Sequence, residues 1–335
     1  MKKIRFSRVT IVCFLLLCLL PSLGILVFGE SRAAANEVLA PRPRWGVDVL
    51  NQTADWLGSR FALRQEMVTA WARLNALFGT SAEEQVILGR DGWLYYTPTL
   101  DDFCGPRLSD AELEQIAQRL AAMQEEASAR GSRFLFTVAP NKNSLYPEHM
   151  PAWAENRHDA ADLPRLLPYL EQYGVNYVDV SALAMPYYRT DSHWTAEGAA
   201  MAADALLAAL GRESAFAAGP FAVDGVHRGD LYEMLYPARK GAEGEIVFAG
   251  NLSFEALNEP NGGNAITIRT ACASGAGRLY CWRDSFGIAL YPYLAESFES
   301  AVFTRSQNYT LPADEADVLL LEIVERNLGQ LLESA

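Results

Sequence analysis

The sequence predicts an α/β domain with a mainly parallel sheet flanked by helices, preceded by an N-terminal transmembrane helix. Three observations predict this. Continuous apolar runs, among them Phe134–Ala139 (FLFTVA) and Val318–Val324 (VLLLEIV), alternate with helical segments, the pattern of strands buried on both faces. Lys2, Lys3, Arg5 and Arg8 precede an uncharged run of 21 residues, Val9–Gly29, long enough to cross a bilayer. Half of the 335 residues are hydrophobic, ample for a large core.

The basic residues before the run and Glu30 after it orient the N-terminus to the cytoplasm and the remainder outside. Residues 1–29 thus read as a cytoplasmic basic segment and signal-anchor helix, 30–46 as a linker, and 47–335 as the catalytic domain. A cleaved signal peptide is the alternative, since Ala33-Ala34-Ala35 offers a small-residue site, although secretory apolar regions usually span about 7–15 residues. Without those four basic residues, 24 Lys and Arg remain against 41 Asp and Glu, a net charge of −17. Such a surface excludes nucleic acid as a main partner. Cys104, Cys272 and Cys281 lie outside the apolar run, an odd number that allows at most one internal disulfide, and no Cys/His spacing suggests zinc.

Apolar residues from Leu50 to Leu77, including Trp56, Phe61, Met67 and Trp71, recur at helical spacing. Val86–Tyr96 (VILGRDGWLYY) reads as a hairpin turning at GRDG. Ser109 and Glu112 form a capping box for a helix that stops near Gly131. Leu163–Tyr173 is helical, Asn176–Val180 a strand, and Ala196–Leu210 an Ala-rich helix ending at Gly211. Leu279–Trp282 is a strand, a helix follows from about Phe286 to Phe298, and Ala301–Arg305 and Val318–Val324 are strands. Residues 221–264, rich in glycine, read as an irregular insertion.

Four histidines are available as general bases: His149, His158, His193 and His227. His149 (YPEHMP) and His158 (ENRHDA) read as loop or surface residues. His227 (DGVHRGD) could line a site, yet nothing adjacent in sequence completes a mechanism. His193 stands in Asp191-Ser192-His193-Trp194, directly before a helix. A carboxylate two residues earlier can reach one ring nitrogen and leave the other free. Asp191 would equally serve as a helix cap or as a metal ligand. The segment Arg278–Gly287 (RLYCWRDSFG) reads as strand, sharp turn and helix. Ser285 would lie at the carboxyl end of a parallel strand, with its own N–H at a helix N-terminus. Asp284 or Ser285 could also simply cap that helix.

Together these motifs resemble the SGNH-hydrolase-like domain of the alginate O-acetyltransferase (AlgJ/AlgX) family. Asp191-Ser192-His193-Trp194 is similar to its D-x-H-W signature, and Asp284-Ser285-Phe286 to its nucleophile block. The same order of motifs includes Gly89–Tyr95, Ala139–Lys142, Tyr146–Glu148, Arg228–Leu231 and Glu322–Arg326, covering roughly Asn51 to Leu328. Arg283 departs from the glycine that often precedes Asp-Ser. No carbohydrate-binding domain follows within these residues, an arrangement similar to the anchored member of the family.

The resemblance implies O-acetylation of an extracytoplasmic polysaccharide by a membrane-held enzyme, single-pass, with its domain on the periplasmic or outer face. Ser285 would be the nucleophile, His193 the general base and Asp191 its orienting carboxylate, with no cofactor or metal required. Asn141 is a second oxyanion candidate, and Arg189 and Trp194 are substrate-contact candidates. A multispanning membrane O-acyltransferase would deliver the acetyl group. An acetyl esterase with the same triad remains an alternative, as does a non-catalytic glycan-binding scaffold of the envelope. Aromatic content (7 Trp, 14 Tyr, 15 Phe) suits sugar stacking and core filling alike.

Overall fold

A computed structural model of the chain describes residues 8–31, 33, 38–258, 266–313 and 315–333. In chain order, α1 (Arg8–Phe28), α2 (Val49–Arg60) and α3 (Arg64–Leu77) precede a ribbon of β1 (Val86–Leu88) and β2 (Leu94–Tyr96). Then come α4 (Leu100–Cys104), α5 (Asp110–Ala129), β3 (Arg133–Ala139), α6 (Lys142–Leu145), α7 (Asp162–Gln172), β4 (Tyr177–Val178) and α8 (Ala196–Ala209). The strands β5 (Phe221–His227) and β6 (Glu243–Phe248) flank α9 (Asp230–Leu235) in sequence. The chain continues through β7 (Glu255–Ala256), β8 (Thr267–Ala271), β9 (Arg278–Trp282), α10 (Gly287–Ser297), β10 (Ser300–Thr304), β11 (Val318–Val324) and α11 (Gln330–Glu333).

Two units form. Residues 1–86 with 228–242 make one, and 87–227 with 243–335 the other. In the first, Leu63 adopts a left-handed φ of 62° between α2 and α3, which breaks the predicted helical stretch in two. Much of its apolar face stays open: Trp71 is 59% and Leu77 82% exposed. The apolar run is helical as α1. Residues 1–7 and several α1 side chains fall outside the described residues. No helix among the described residues is long and apolar enough to cross a membrane, so the predicted anchor has no structural support.

The second unit is built on a seven-stranded sheet in the order β4-β3-β11-β9-β10-β8-β7. The five strands from β4 to β10 pair in parallel, while β8 and β7 add antiparallel. The expected mainly parallel sheet is therefore a mixed one. Its antiparallel edge escaped notice because β7 and β8 are short and carry polar residues, not apolar runs. Strand β11 is buried throughout, as a strand covered on both faces must be. Leu319, Leu321 and Ile323 face Leu113, Ile116 and Leu120 of α5, with α7 beside them. Val318, Leu320 and Val324 face the α8 and α10 layer. Helix α5 starts as expected, with Ser109 and Glu112 exchanging a full capping box. Thr195 caps α8 by accepting the Gly198 N–H at 3.2 Å.

Within the insertion read as irregular, the described residues form an antiparallel pair, β5 with β6, while 259–264 lie outside the described residues. Asp224 and Gly225 together oppose Glu245, a bulge made possible by the left-handed φ of 79° at Gly225. One extra residue reverses the facing of everything after it, so His227 points to the opposite face from Val223. Cys104, Cys272 and Cys281 are free thiols. The carboxyl ends of β3, β9 and β11 gather their loops at one edge, where open α/β sheets place their sites.

Glu325 follows β11 and is buried. Its Oε2 accepts the Asn141 N–H and the Ser144 hydroxyl, each at 2.7 Å. Burial first, and then the Asp102 carboxylate beside it, push its carboxyl up to about 8. A raised carboxyl gives stability that is whole below its unfolded value and is lost as pH rises through the folded one. Wild-type melting temperature should therefore fall between pH ~5 and ~9. Glu325→Gln keeps the acceptor and cannot ionise, so its fall should be smaller by about 3 °C or more in thermal melts. Parallel curves would show that Glu325 is ionised across the range.

Candidate active site

Strand β9 ends at Trp282, and Arg283 to Phe286 turn the chain into α10. Asp284 fixes that turn. Its Oδ1 accepts the Phe286 N–H at 2.8 Å and its Oδ2 the Val324 N–H at 2.6 Å, while its own N–H donates to Glu322 Oε2 at 3.1 Å. Burial, reinforced by the neighbouring Asp284 carboxylate, holds Glu322 well above the usual carboxylate range. Asp284 thus braces the turn and does not cap the helix, whose N-cap is Phe286 without a side-chain cap bond, and Ser285 likewise leaves its side chain uncommitted to the helix. Among the described residues the Ser285 N–H meets no acceptor. It lies at the positive end of an 11-residue helix.

Opposite stands the loop before α8. The His193 N–H donates to Asp191 Oδ1 at 2.9 Å, closing an Asx turn that brings carboxylate and ring together. His193 Nδ1 lies 2.7 Å from the same oxygen, and His193 Nε2 lies 2.8 Å from Ser285 Oγ. Asp191 is 8% exposed at its side chain and His193 25%, so the ring is reachable and its carboxylate is not. Burial alone would raise Asp191. The charges and hydrogen bonds of His193 and His227 outweigh it and hold the carboxyl well below its ordinary value.

Trp194 joins the two halves from beneath. Its Nε1–H donates to the Phe286 carbonyl at 3.2 Å, and its ring meets Phe286 edge-on, with centroids 5.0 Å apart. The His193 ring rests on Phe286 at 4.7 Å. Trp194 is 2% exposed, so it braces the site and cannot contact a substrate as the sequence suggested. Arg189 is exposed; its N–H donates to Glu243 and its carbonyl accepts from Lys142 Nζ at 2.8 Å. Asn141 turns elsewhere. Its side-chain amide donates to Asp102 and its N–H to Glu325, which leaves it poorly suited to an oxyanion.

Two residues were given no role from sequence. Lys142, 4% exposed, donates Nζ to the Asp191 carbonyl at 2.7 Å and lies over the Trp93 and Tyr95 rings. Its place in the Ala139–Lys142 motif was the available signal. His227 Nε2 lies 3.0 Å from Asp191 Oδ2, a contact spanning 36 residues that no local spacing could announce. His149 stacks on Trp93 at 4.6 Å, and the side chain of His158 lies outside the described residues.

Arg283 occupies the position where a glycine was expected, and Gly287 makes room for it. A Cβ on Gly287 would lie 2.6 Å from Arg283 Cβ and 2.7 Å from its Cδ. Gly287→Ala should cost about 1–3 kcal/mol and lower activity. Adding Arg283→Gly should restore part of the loss, because the two positions share one space. Thermal melts of the two single variants and the double variant measure that coupling. Strictly additive losses would dismiss it.

Residues 86–243, which carry Asp191 and His193, match the family model described as "SGNH hydrolase-like domain, acetyltransferase AlgX". The "Probable alginate O-acetylase AlgJ" of Pseudomonas aeruginosa is 29% identical over 196 residues, covering 52% of this chain and 47% of that protein. The chain spans about half the length of the curated relatives it matches. Among solved structures, Bacillus cereus PatB1 with a sulfonyl adduct is similar at a TM-score of 0.56 and 15% identity, covering 75% of this chain and 100% of that one. A DHHW family protein from Eubacterium siraeum is similar at 0.52 and 16%, covering 67% and 89%. At such identities the two structures speak for the fold, an SGNH-hydrolase-like α/β arrangement in keeping with the matched model. The motifs, the matched domain and the curated relatives agree in one similarity, to the AlgJ and AlgX proteins.

Proposed function

We propose that the protein O-acetylates an extracytoplasmic polysaccharide through an acetyl-serine intermediate. The observation that carries this reading is the 2.8 Å contact of His193 Nε2 with Ser285 Oγ, backed by Asp191 on the far ring nitrogen. In the first half, His193 removes the Ser285 hydroxyl proton as Oγ attacks the acetyl carbonyl, and returns it to the departing donor group. The developing oxyanion is met by the Ser285 N–H at the start of α10. In the second half, a sugar hydroxyl gives its proton to His193 and attacks the acetyl-serine, releasing the ester and restoring Ser285. Arg189, exposed in the loop before α8, would meet the acceptor.

The relatives named as probable alginate O-acetylases support a polysaccharide as the acceptor class. The donor would come from a multispanning membrane O-acyltransferase, and the apolar segment of α1 would hold the enzyme at the membrane with its domain outside the cytoplasm. Fractionation and N-terminal sequencing test that placement. A mature chain beginning at Asn36 would replace the anchor with a cleaved leader.

The chemistry is tested by incubating the protein with an activated acetyl ester and neutral or uronic-acid oligosaccharides, followed by mass spectrometry. Acetylated oligosaccharide and slow release of free acetate are expected. Ser285→Ala and His193→Ala should each lower turnover on the order of 10⁴-fold, and Asp191→Asn about as severely through the wrong ring tautomer. Fast hydrolysis with no acetylated sugar would make the protein an esterase. Undiminished turnover in Ser285→Ala would remove the acyl-enzyme altogether.

A further inference from the structure

The second oxygen of Asp191 is not left to solvent. His227 Nε2 lies 3.0 Å from Asp191 Oδ2, and His227 Nδ1 lies 2.5 Å from Glu245 Oε2. Both ring nitrogens thus face carboxylate oxygens, and carboxylates only accept, so both nitrogens carry protons and the ring is a cation. The groups holding it come from two directions. Asp191 belongs to the loop before α8, and Glu245 to β6. Tyr188 stacks flat on the ring with centroids 3.5 Å apart and donates its hydroxyl to Glu245 at 3.0 Å. His227 itself reaches this place through the bulge at Asp224 and Gly225. The side chain is 11% exposed.

We infer that His227 is a positioning residue for acyl transfer: its cation fixes the second oxygen of Asp191 and tempers the basicity that Asp191 confers on His193. This inference rests on the serine acyl-transfer reading. Among the groups facing His193 are Asp191, the Ser192 and Ser285 hydroxyls and the Phe286 ring, and Asp191 is the charge bonded to its Nδ1. A lone Asp–His pair draws a proton strongly onto the imidazole. With His227 on the other oxygen, the line of charges alternates from Glu245 through His227 and Asp191 to His193, and a positive His193 gains less from its carboxylate. His193 therefore stays neutral, and able to take the serine proton, to lower pH. Burial opposes the charge on His227, but its bonds to Asp191 and Glu245 prevail and carry its titration up to about 9, above the range in which a histidine base works.

Two substitutions separate this from a merely structural role. His227→Gln keeps a donor for Asp191 and removes the charge. Glu245→Gln keeps the hairpin contact and removes the opposing charge. In an NMR titration of the histidine rings, His227→Gln should raise the His193 midpoint by about one pH unit. Glu245→Gln should lower the His227 midpoint and leave that of His193 unchanged or lower. A general loosening of the hairpin would move His193 the same way in both. With an activated acetyl ester, the acid limb of the rate profile should follow the His193 midpoint in each variant. An unmoved or lowered His193 midpoint in His227→Gln overturns the inference, as does a wild-type His227 that titrates near ~6.5. A wild-type protein inert toward the ester would instead sink the acyl-transfer reading, while the titration still decides the coupling.

Discussion

A buried carboxylate organises this molecule. Removed from water, Asp191 must be met by donors on every side, because an ion left unpaired in such a place is far too costly to persist. It is met by the backbone and ring of His193 and by the ring of His227. These demands reach outward. Glu243 accepts the N–H groups of Arg189 and Thr190, and Lys142 donates to the Arg189 and Asp191 carbonyls. The Leu94 N–H adds a further bond to the Arg189 carbonyl. The ribbon, the turn after β3 and the β5–β6 hairpin therefore converge on one short loop, and each holds it through main-chain atoms.

Legibility in the sequence followed the physics of each element. Strands β3, β9 and β11 announced themselves because burial on both faces demands an unbroken apolar run, and α5 did so through its capping box. Ser285 and His193 were readable because their neighbours dictate local geometry: a strand-to-helix turn for one and an Asx turn for the other. The β5–β6 hairpin was not readable. From Ala222 to Val226 it is exposed, so no apolar pattern marks it, and its bulge breaks the alternation that would. His227 was hidden for the same reason. Its meaning depends on a register shift and on a partner far away in sequence. Asn141 follows β3 as its sequence position foretold, while the contact of its amide with Asp102 spans 39 residues and had no local sign.

The departure at Arg283 also has a physical reading. A strand-to-helix turn of this kind needs one position without a side chain where turn and helix start converge. Here the open space lies at Gly287 and not before Asp284, and Arg283 fills it. The turn itself is set by Asp284, whose carboxylate ties the Phe286 and Val324 amides together. Phe286, wedged against both Trp194 and His193, converts that rigidity into the distance between imidazole and serine. Serine and imidazole are thus spaced by aromatic packing as much as by their own hydrogen bond.

Strand β11 lies between β3 and β9 at the centre of the sheet, yet it follows both of them in the chain. A chain made from its N-terminus presents β3 and β9 first, with their facing edges unpaired until the central strand arrives. The Val324 amide that grips Asp284, and Glu325 that grips Asn141, arrive with it. The turn that carries Ser285 and the loop after β3 are consequently locked by the same late event that closes the sheet. A nascent chain therefore carries Ser285 and His193 before the turn that holds Ser285 is tied down, and that turn is completed only with the last strand of the sheet.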